Sequence, residues 1–191
     1  NAAVSRNGWG NQHYLSQQAW LHASIEPDRI EKEVPEEGIL LGYAFDAPSA
    51  GRYEVWNRIG FEFVRSPFEW RIDESSWKAI APEDLTTDLM DIALWCEVAW
   101  IRMGEADLAA GRHVLEIRLL PSHKEEGGKK VLRSILYASD ALCIHKGAFH
   151  PTGRHKPGEP WGSDDDRKAS THIFDLPAHG ADPGARIEMP L

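Results

Sequence analysis

Residues 51–77 read GRYEVWNRIGFEFVRSPFEWRIDESSW. On the first arm Tyr53, Val55 and Ile59 share one side, and Glu54, Trp56 and Arg58 the other. On the second arm Phe68, Trp70 and Ile72 oppose Glu69, Arg71 and Asp73. A period of two with one apolar side predicts two half-buried β-strands. Between them Gly60-Phe61-Glu62-Phe63-Val64-Arg65-Ser66-Pro67 breaks the alternation, and it sets aromatics and both signs of charge in a loop. The second strand is expected to end at Trp77, and the rest of the chain to form a sandwich around this pair.

Outward from that stretch the alternation recurs. Trp20–Ile25 alternates up to Pro27, and Ile39, Leu41, Tyr43 and Phe45 alternate without a fault. Cys96, Val98 and Trp100 predict a further strand, with a loop from Gly104 to Gly111. His113, Leu115, Ile117 and Leu119 predict the next. The last covers Ser134–Ile144, with Leu136, Ala138, Leu142 and Ile144 on one side and Asp140 among them. The charged, glycine-bearing run Pro121–Lys130 reads as a solvated loop. Pro82-Glu83-Asp84 resembles a helix start, and Leu85, Leu89 and Ile92 are spaced for one face of a short helix that ends at Trp95. At least seven short strands, one short helix and turn signals between them predict an all-β sandwich or barrel. The expected organisation is a loop-like lead-in over residues 1–19, a sandwich domain over 20–146, and a Pro/Gly-rich extension or linker over 147–191.

Composition narrows the partners. The chain has 191 residues, enough for one good core, and 42% hydrophobic content, ordinary for a folded protein. A formal net charge of −9 argues against nucleic acid, whose phosphates need a basic surface. No apolar run approaches the ~20 residues of a membrane span. The chain shows no signal peptide and begins at Asn, so it is expected to be a processed protein or an excised piece of a larger one. Eight Trp is the one compositional anomaly; such rings serve cores or flat stacking surfaces. Cys96 and Cys143 sit in apolar strands and read as two buried thiols, with a disulfide as the alternative.

Four pieces in order resemble the galactose-binding-like jelly-roll domains typical of carbohydrate-binding modules. They are Ala50–Arg58, Phe68–Trp77, Val98–Trp100 continuing to Ala110–Leu115, and Ser139–Leu142, together spanning roughly residues 20–146. The segment His172–Pro177 and its continuation are similar to the entry into a following domain of large bacterial glycosidases. The resemblance implies a β-sandwich jelly roll that is non-catalytic, binds a glycan, and belongs to a multimodular glycan-degrading enzyme. It also implies a secreted, periplasmic or cell-surface setting and a covalently linked catalytic domain. Two rival readings stand beside it: a structural accessory domain packed against a catalytic neighbour, and a jelly-roll enzyme that degrades polysaccharide.

Sugar recognition needs an aromatic face for the pyranose ring and charged or amide groups for its hydroxyls. Jelly rolls of this kind usually place these on the loops at one end. The ligand contacts expected are Phe61, Glu62, Phe63, Arg65 and Trp95, with Trp9 and Trp77 as further candidates. Arg65 could equally pair with Glu62 on the surface. Trp56, Trp70 and Trp100 lie within strands and read as packing. Asp140 reads as a carboxylate bonded to a neighbouring loop, or as a metal or ligand contact at a strand end. Family members often hold a structural calcium with an acidic N-terminal strand. Leu21–Ile25 lacks that pattern, so calcium is the only cofactor the resemblance allows and its ligands are unassigned. His145, His150 and His155 lie five apart but match no strong metal pattern, and the run Asp164-Asp165-Asp166 reads as a solvated face, with an oxygen-rich site for calcium or another cation as the alternative. No catalytic residue is assigned: no nucleophile elbow or phosphate loop is present, and no carboxylates can be paired from spacing alone.

Overall fold

The computed structural model describes residues 2–5, 20–60, 66–81, 90–93, 96–151 and 171–175. They form an antiparallel β-sandwich. One sheet runs in the order β1 (Ala2–Ser5), β2 (Trp20–Ile25), β12 (Ile135–Lys146), β4 (Gly51–Gly60), β8 (Cys96–Leu108), β7 (Met90–Ala93), with β13 (Thr171–Asp175) also paired to β12. The facing sheet has four strands, β3 (Ile39–Ala47), β9 (Gly111–Leu119), β5 (Phe68–Ile72) and β6 (Lys78–Ile80). A separate ribbon pairs β10 (His123–Glu126) with β11 (Lys129–Leu132). Consecutive strands β3, β4 and β5 alternate between the sheets, as do β8 and β9. That is jelly-roll connectivity, and the expected fold class stands.

The two arms of the 51–77 stretch are therefore not partners. β4 pairs with β12 and β8, whereas β5 pairs with β9 and β6 in the opposite sheet. Their inward faces meet across the core. Tyr53, Val55 and Ile59 pack in one cluster with Phe68, Trp70 and Ile72, together with Leu41, Phe45, Leu115 and Ile117. The alternation located the strands and their apolar sides, but β4 is not half-buried. Its other face carries Trp56 into a second cluster with Trp100, Cys143 and Phe149, and Arg58 lies there with no exposed surface. Trp56, Trp70 and Trp100 are all buried, as their strand positions predict. Cys143 is a buried free thiol, and burial pushes its pKa up.

Several elements differ from their sequence reading. The short helix α1 is Pro27–Glu33, with Pro at its start, an Arg29–Glu33 ion pair one turn apart, and Ile30 as its buried residue. Met90–Ala93, expected within a helix, is a strand paired to β8; residues 82–89 lie outside the described residues. β5 stops at Ile72, five residues before Trp77. β8 continues through Gly104 to Leu108 instead of turning into a loop. Residues 123–132 form a hairpin closed by Gly127 and Gly128, both at positive φ, as a tight two-residue turn requires. β12 slips register between Ser139 and Ala141, so one apolar face does not run through it. Tyr137 faces the main core before the slip, and Leu142 and Ile144 do so after it.

The slip places a fully buried ion pair. Arg58 donates to Asp140 Oδ2 at 2.9 Å, and neither side chain has exposed area. Asp140 thus has Arg58 of the adjacent strand as a partner. Removing one member of such a pair strands the other charge in a low dielectric. Asp140→Ala is expected to lose about 3–5 kcal/mol of stability, and Arg58→Met with Asp140→Leu markedly less, both read from urea unfolding midpoints.

A second irregularity ties the sheets together. β8 carries one extra residue opposite β4, between the pairs Val55↔Gly104 and Trp56↔Arg102. At this bulge the Trp70 indole, reaching across from the facing sheet, donates to the Met103 carbonyl at 3.0 Å. Gly104 has φ +146, and a Cβ there would sit 3.0 Å from a Trp70 ring carbon. Gly104→Ala combines backbone strain with overpacking and is expected to cost about 2–4 kcal/mol. Chemical denaturation with near-ultraviolet circular dichroism measures it and reports Trp70 displacement.

Candidate functional site

Beyond the bulge, β8 runs along one end of the sandwich beside the loop that joins β5 to β6. Between them lies an open cleft of about 510 Å³, a volume typical of small-ligand sites. Its apolar lining is Ile72, Ala106 and Leu108. The β5–β6 loop contributes Asp73, Ser75 and Ser76, β8 contributes Glu105 and Asp107, and Lys78 and His113 complete the lining.

Each charged group is held in place. Arg52 donates two bonds of 3.1 Å to the two oxygens of Asp107, a bidentate pairing. The hydrogen bonds and charge of Arg52 pull the Asp107 pKa below its ordinary value. Glu105 pairs with Arg102 and lies 3.6 Å from Arg52. The Lys78 ammonium donates to the Glu105 carbonyl at 2.7 Å and sits 4.6 Å from the centre of the Trp70 ring. Asp73 adopts φ +53, a conformation that Asp tolerates better than most residues. Its Oδ1 accepts from the Val114 N–H at 2.9 Å, and its own N–H donates to the Val114 carbonyl at 2.8 Å. Those bonds fasten the β5–β6 loop to β9. Ser75 and Ser76 are exposed and line the cleft.

His113 bridges the two sides. Its Nδ1 is 2.7 Å from Asp73 Oδ2 and its Nε2 3.1 Å from the Ala109 carbonyl. Burial lowers its pKa, but the bonds to Asp73 and Ala109 and the charges of Asp73 and Asp46 outweigh that and leave it above the ordinary imidazole value. Because the folded-state pKa exceeds that of the unfolded chain, this stabilisation is fully present below about pH 6.5. It is lost as pH rises through the folded-state pKa. Urea midpoints are expected to fall over that window in the native chain, and His113→Gln is expected to remove this part of the slope.

The sequence candidates fall elsewhere. Phe61, Glu62, Phe63, Arg65 and Trp95 lie outside the described residues, as does Trp9. Gly60 and Phe68, which flank the first four, sit at the far ends of β4 and β5 from the cleft. Trp77 is half-buried on the outer side of the four-stranded sheet. Its ring lies over the guanidiniums of Arg71 and Arg118, at 4.4 and 4.1 Å. Arg71 donates to Glu116 at 2.6 Å and Arg118 to Glu69 at 3.0 Å. His145 is buried against Phe149, and His155 and Asp164-Asp165-Asp166 lie outside the described residues. Among the described residues no group of three His, Cys, Asp or Glu side chains gathers to hold a metal, and β2 carries no acidic residue.

The cleft residues carried a signal that sequence reading passed over. Asp73-Glu74-Ser75-Ser76 is a polar run between two strands, the composition of a tight turn. Glu105 and Asp107 alternate with Ala106 and Leu108 in a stretch that reads as a loop, and nothing in the sequence sets them beside that turn.

No family model matches the chain, and no curated protein matches it in sequence. Among solved structures it is similar to the GH26-CBM35 β-(1,4)-mannanase of Podospora anserina. The TM-score is 0.43 at 10% identity, over 87% of this chain and 30% of that one. It is also similar to the α-L-fucosidase of Vibrio sp. strain EJY3. The TM-score there is 0.34 at 16% identity, over 60% of this chain and 23% of that one. The chain spans less than a third of either protein.

Proposed function

We propose that this chain is a carbohydrate-binding module that holds a neutral glycan in the end cleft without cleaving it. The observation that carries this reading is the makeup of the cleft. An apolar lining of Ile72, Ala106 and Leu108 suits the C–H face of a sugar, and the hydroxyls, carboxylates and ammonium around it suit its hydroxyl groups. The carboxylates are held by Arg52, Arg102 and His113, so little ordering is left to be done on binding. Each of these carboxylates already has a cationic partner, and Lys78 is engaged by the Glu105 carbonyl and the Trp70 ring, so no cation is left over for a uronate and a neutral glycan is favoured. A glycosidase acid needs a raised carboxyl pKa, and Asp107 is shifted the other way. In keeping with the resemblance, the module serves a larger glycan-degrading enzyme, in a secreted, periplasmic or cell-surface setting. Phe61, Glu62, Phe63, Arg65 and Trp95 are a second proposed contact set.

Affinity electrophoresis against soluble galactomannan, xylan, laminarin, pullulan and polygalacturonate tests this. Retardation by a neutral polysaccharide is expected. Ser75→Ala with Ser76→Ala should weaken it about tenfold, the worth of two modest hydrogen bonds. Weakening by Phe63→Ala or Trp95→Ala instead would move the site from the cleft to those residues. No retardation would favour the structural accessory domain, and release of reducing sugar would favour the enzyme.

A further inference from the structure

His113 stands where its protonation state has a mechanical consequence. Both ring nitrogens face groups that can only accept: an ionised carboxylate at Asp73 and a backbone carbonyl at Ala109. Satisfying both takes two N–H bonds, which only the imidazolium has. The neutral ring has one N–H and must turn a lone pair toward one of the two acceptors. The carboxylate is the stronger acceptor, so the neutral tautomer keeps its proton on Nδ1 and its bond to Asp73. The lone pair on Nε2 then opposes the Ala109 carbonyl.

Those two acceptors belong to the two walls of the cleft. Asp73 heads the β5–β6 loop, which brings Ser75 and Ser76 to one side. Ala109 lies in the β8–β9 turn, directly after Asp107 and Leu108 on the other. The His113 side chain is 11% exposed, so little water is at hand to replace a lost partner. We propose that His113 is a protonation latch on the cleft: the imidazolium ties both walls together, and the neutral ring lets go of the β8–β9 turn, so that the cleft loosens and glycan affinity falls as pH rises.

The surroundings set the working range. The loop presents Asp73, β3 presents Asp46 beside the Phe45 ring, β6 presents Lys78, and β8 presents Glu105 and Asp107. On its own strand the nearest charge is Arg112, across from Asp46. Arg52 and Arg102 already pair with Asp107 and Glu105, so it is the bonds to Asp73 and Ala109 and the charges of Asp73 and Asp46 that favour the imidazolium and hold His113 above the ordinary imidazole value. The regulation of the cleft by a glycan-relevant latch rests on the proposed function, but the release of the turn does not.

The test is a pH titration of the native chain followed by nitrogen and proton NMR, from about pH 5 to about pH 9, a span that brackets the ordinary imidazole value. His113 is expected to titrate above that value and to become the Nδ1–H tautomer. Backbone amides of Leu108 to Gly111 should shift with the same midpoint, while Val114, bonded to Asp73, should stay protected. His113→Gln should abolish the coordinated shift in the turn. Retardation by galactomannan, xylan, laminarin and pullulan, run at about pH 5.5 and about pH 8.5, should be three- to tenfold weaker at the higher pH, about one hydrogen bond's worth. Turn amides that ignore the His113 midpoint overturn the latch even where polysaccharide binds. Turn amides that follow it while no polysaccharide is retarded at either pH leave the latch standing and remove the glycan reading. Retardation that is equal at the two pH values, with the turn moving, removes the control of binding.

Discussion

The hydrogen bond from the Trp70 indole to the Met103 carbonyl is the contact on which the functional end of this sandwich depends. A bulge disturbs the ladder between two strands and leaves backbone groups in search of partners. Here the partner comes from the opposite sheet, so the bulge that re-aims β8 is also a tie between layers. Gly104 is required beside it, because the ring occupies the space a side chain would fill. The ammonium of Lys78 covers the same ring and reaches the Glu105 carbonyl just past the bulge. A buried aromatic thereby determines where Glu105 and Asp107 stand relative to the β5–β6 loop.

The central strands β4 and β12 of the larger sheet are largely buried on both faces, and the two faces solve that problem differently. Inward, Asn57 donates to the Tyr137 hydroxyl at 3.0 Å and accepts from Ser139, a polar group of three satisfied within an apolar core. Outward, Glu54 collects the Trp56 indole and the Phe149 N–H, each at 2.9 Å, and the Arg102 guanidinium. Partial burial raises the Glu54 pKa, but these donors more than reverse it and leave the carboxylate below its usual range. Phe149 can then stand edge-on to both Trp56 and Trp100. Arg58 and Asp140 complete that face. A buried pair of this kind is a weak source of net stability and a strong specifier of register, because a slip of either strand would leave two unpaired charges.

At the cleft, charge and geometry cooperate. Arg52, Arg102 and His113 each hold a carboxylate, and two of the three come from strands of the larger sheet. The walls are therefore set before any ligand arrives, and the imidazole is the only lining group whose ordinary pKa lies near neutrality.

The sequence by itself determined the strands and their apolar sides, because side-chain alternation is a local property of extended backbone. It placed Trp56, Trp70 and Trp100 in buried strands for the same reason. It did not show α1, whose seven residues hold Ile30 as their buried side chain and so carry no readable stripe. It suggested a helix at Leu85, Leu89 and Ile92, yet Met90–Ala93 is a strand on the edge of β8, where pairing outweighs weak local preference. Only the tertiary structure decided that the two arms of residues 51–77 belong to different sheets, since alternation names a face but never a partner. The register slips on either side of β4 escaped notice because a period-two reading passes straight across an added residue. The cleft, too, was decided by tertiary structure alone: Asp73, Asp107 and His113 come from three separate strand ends, and only the crossing of the chain between the sheets brings them together.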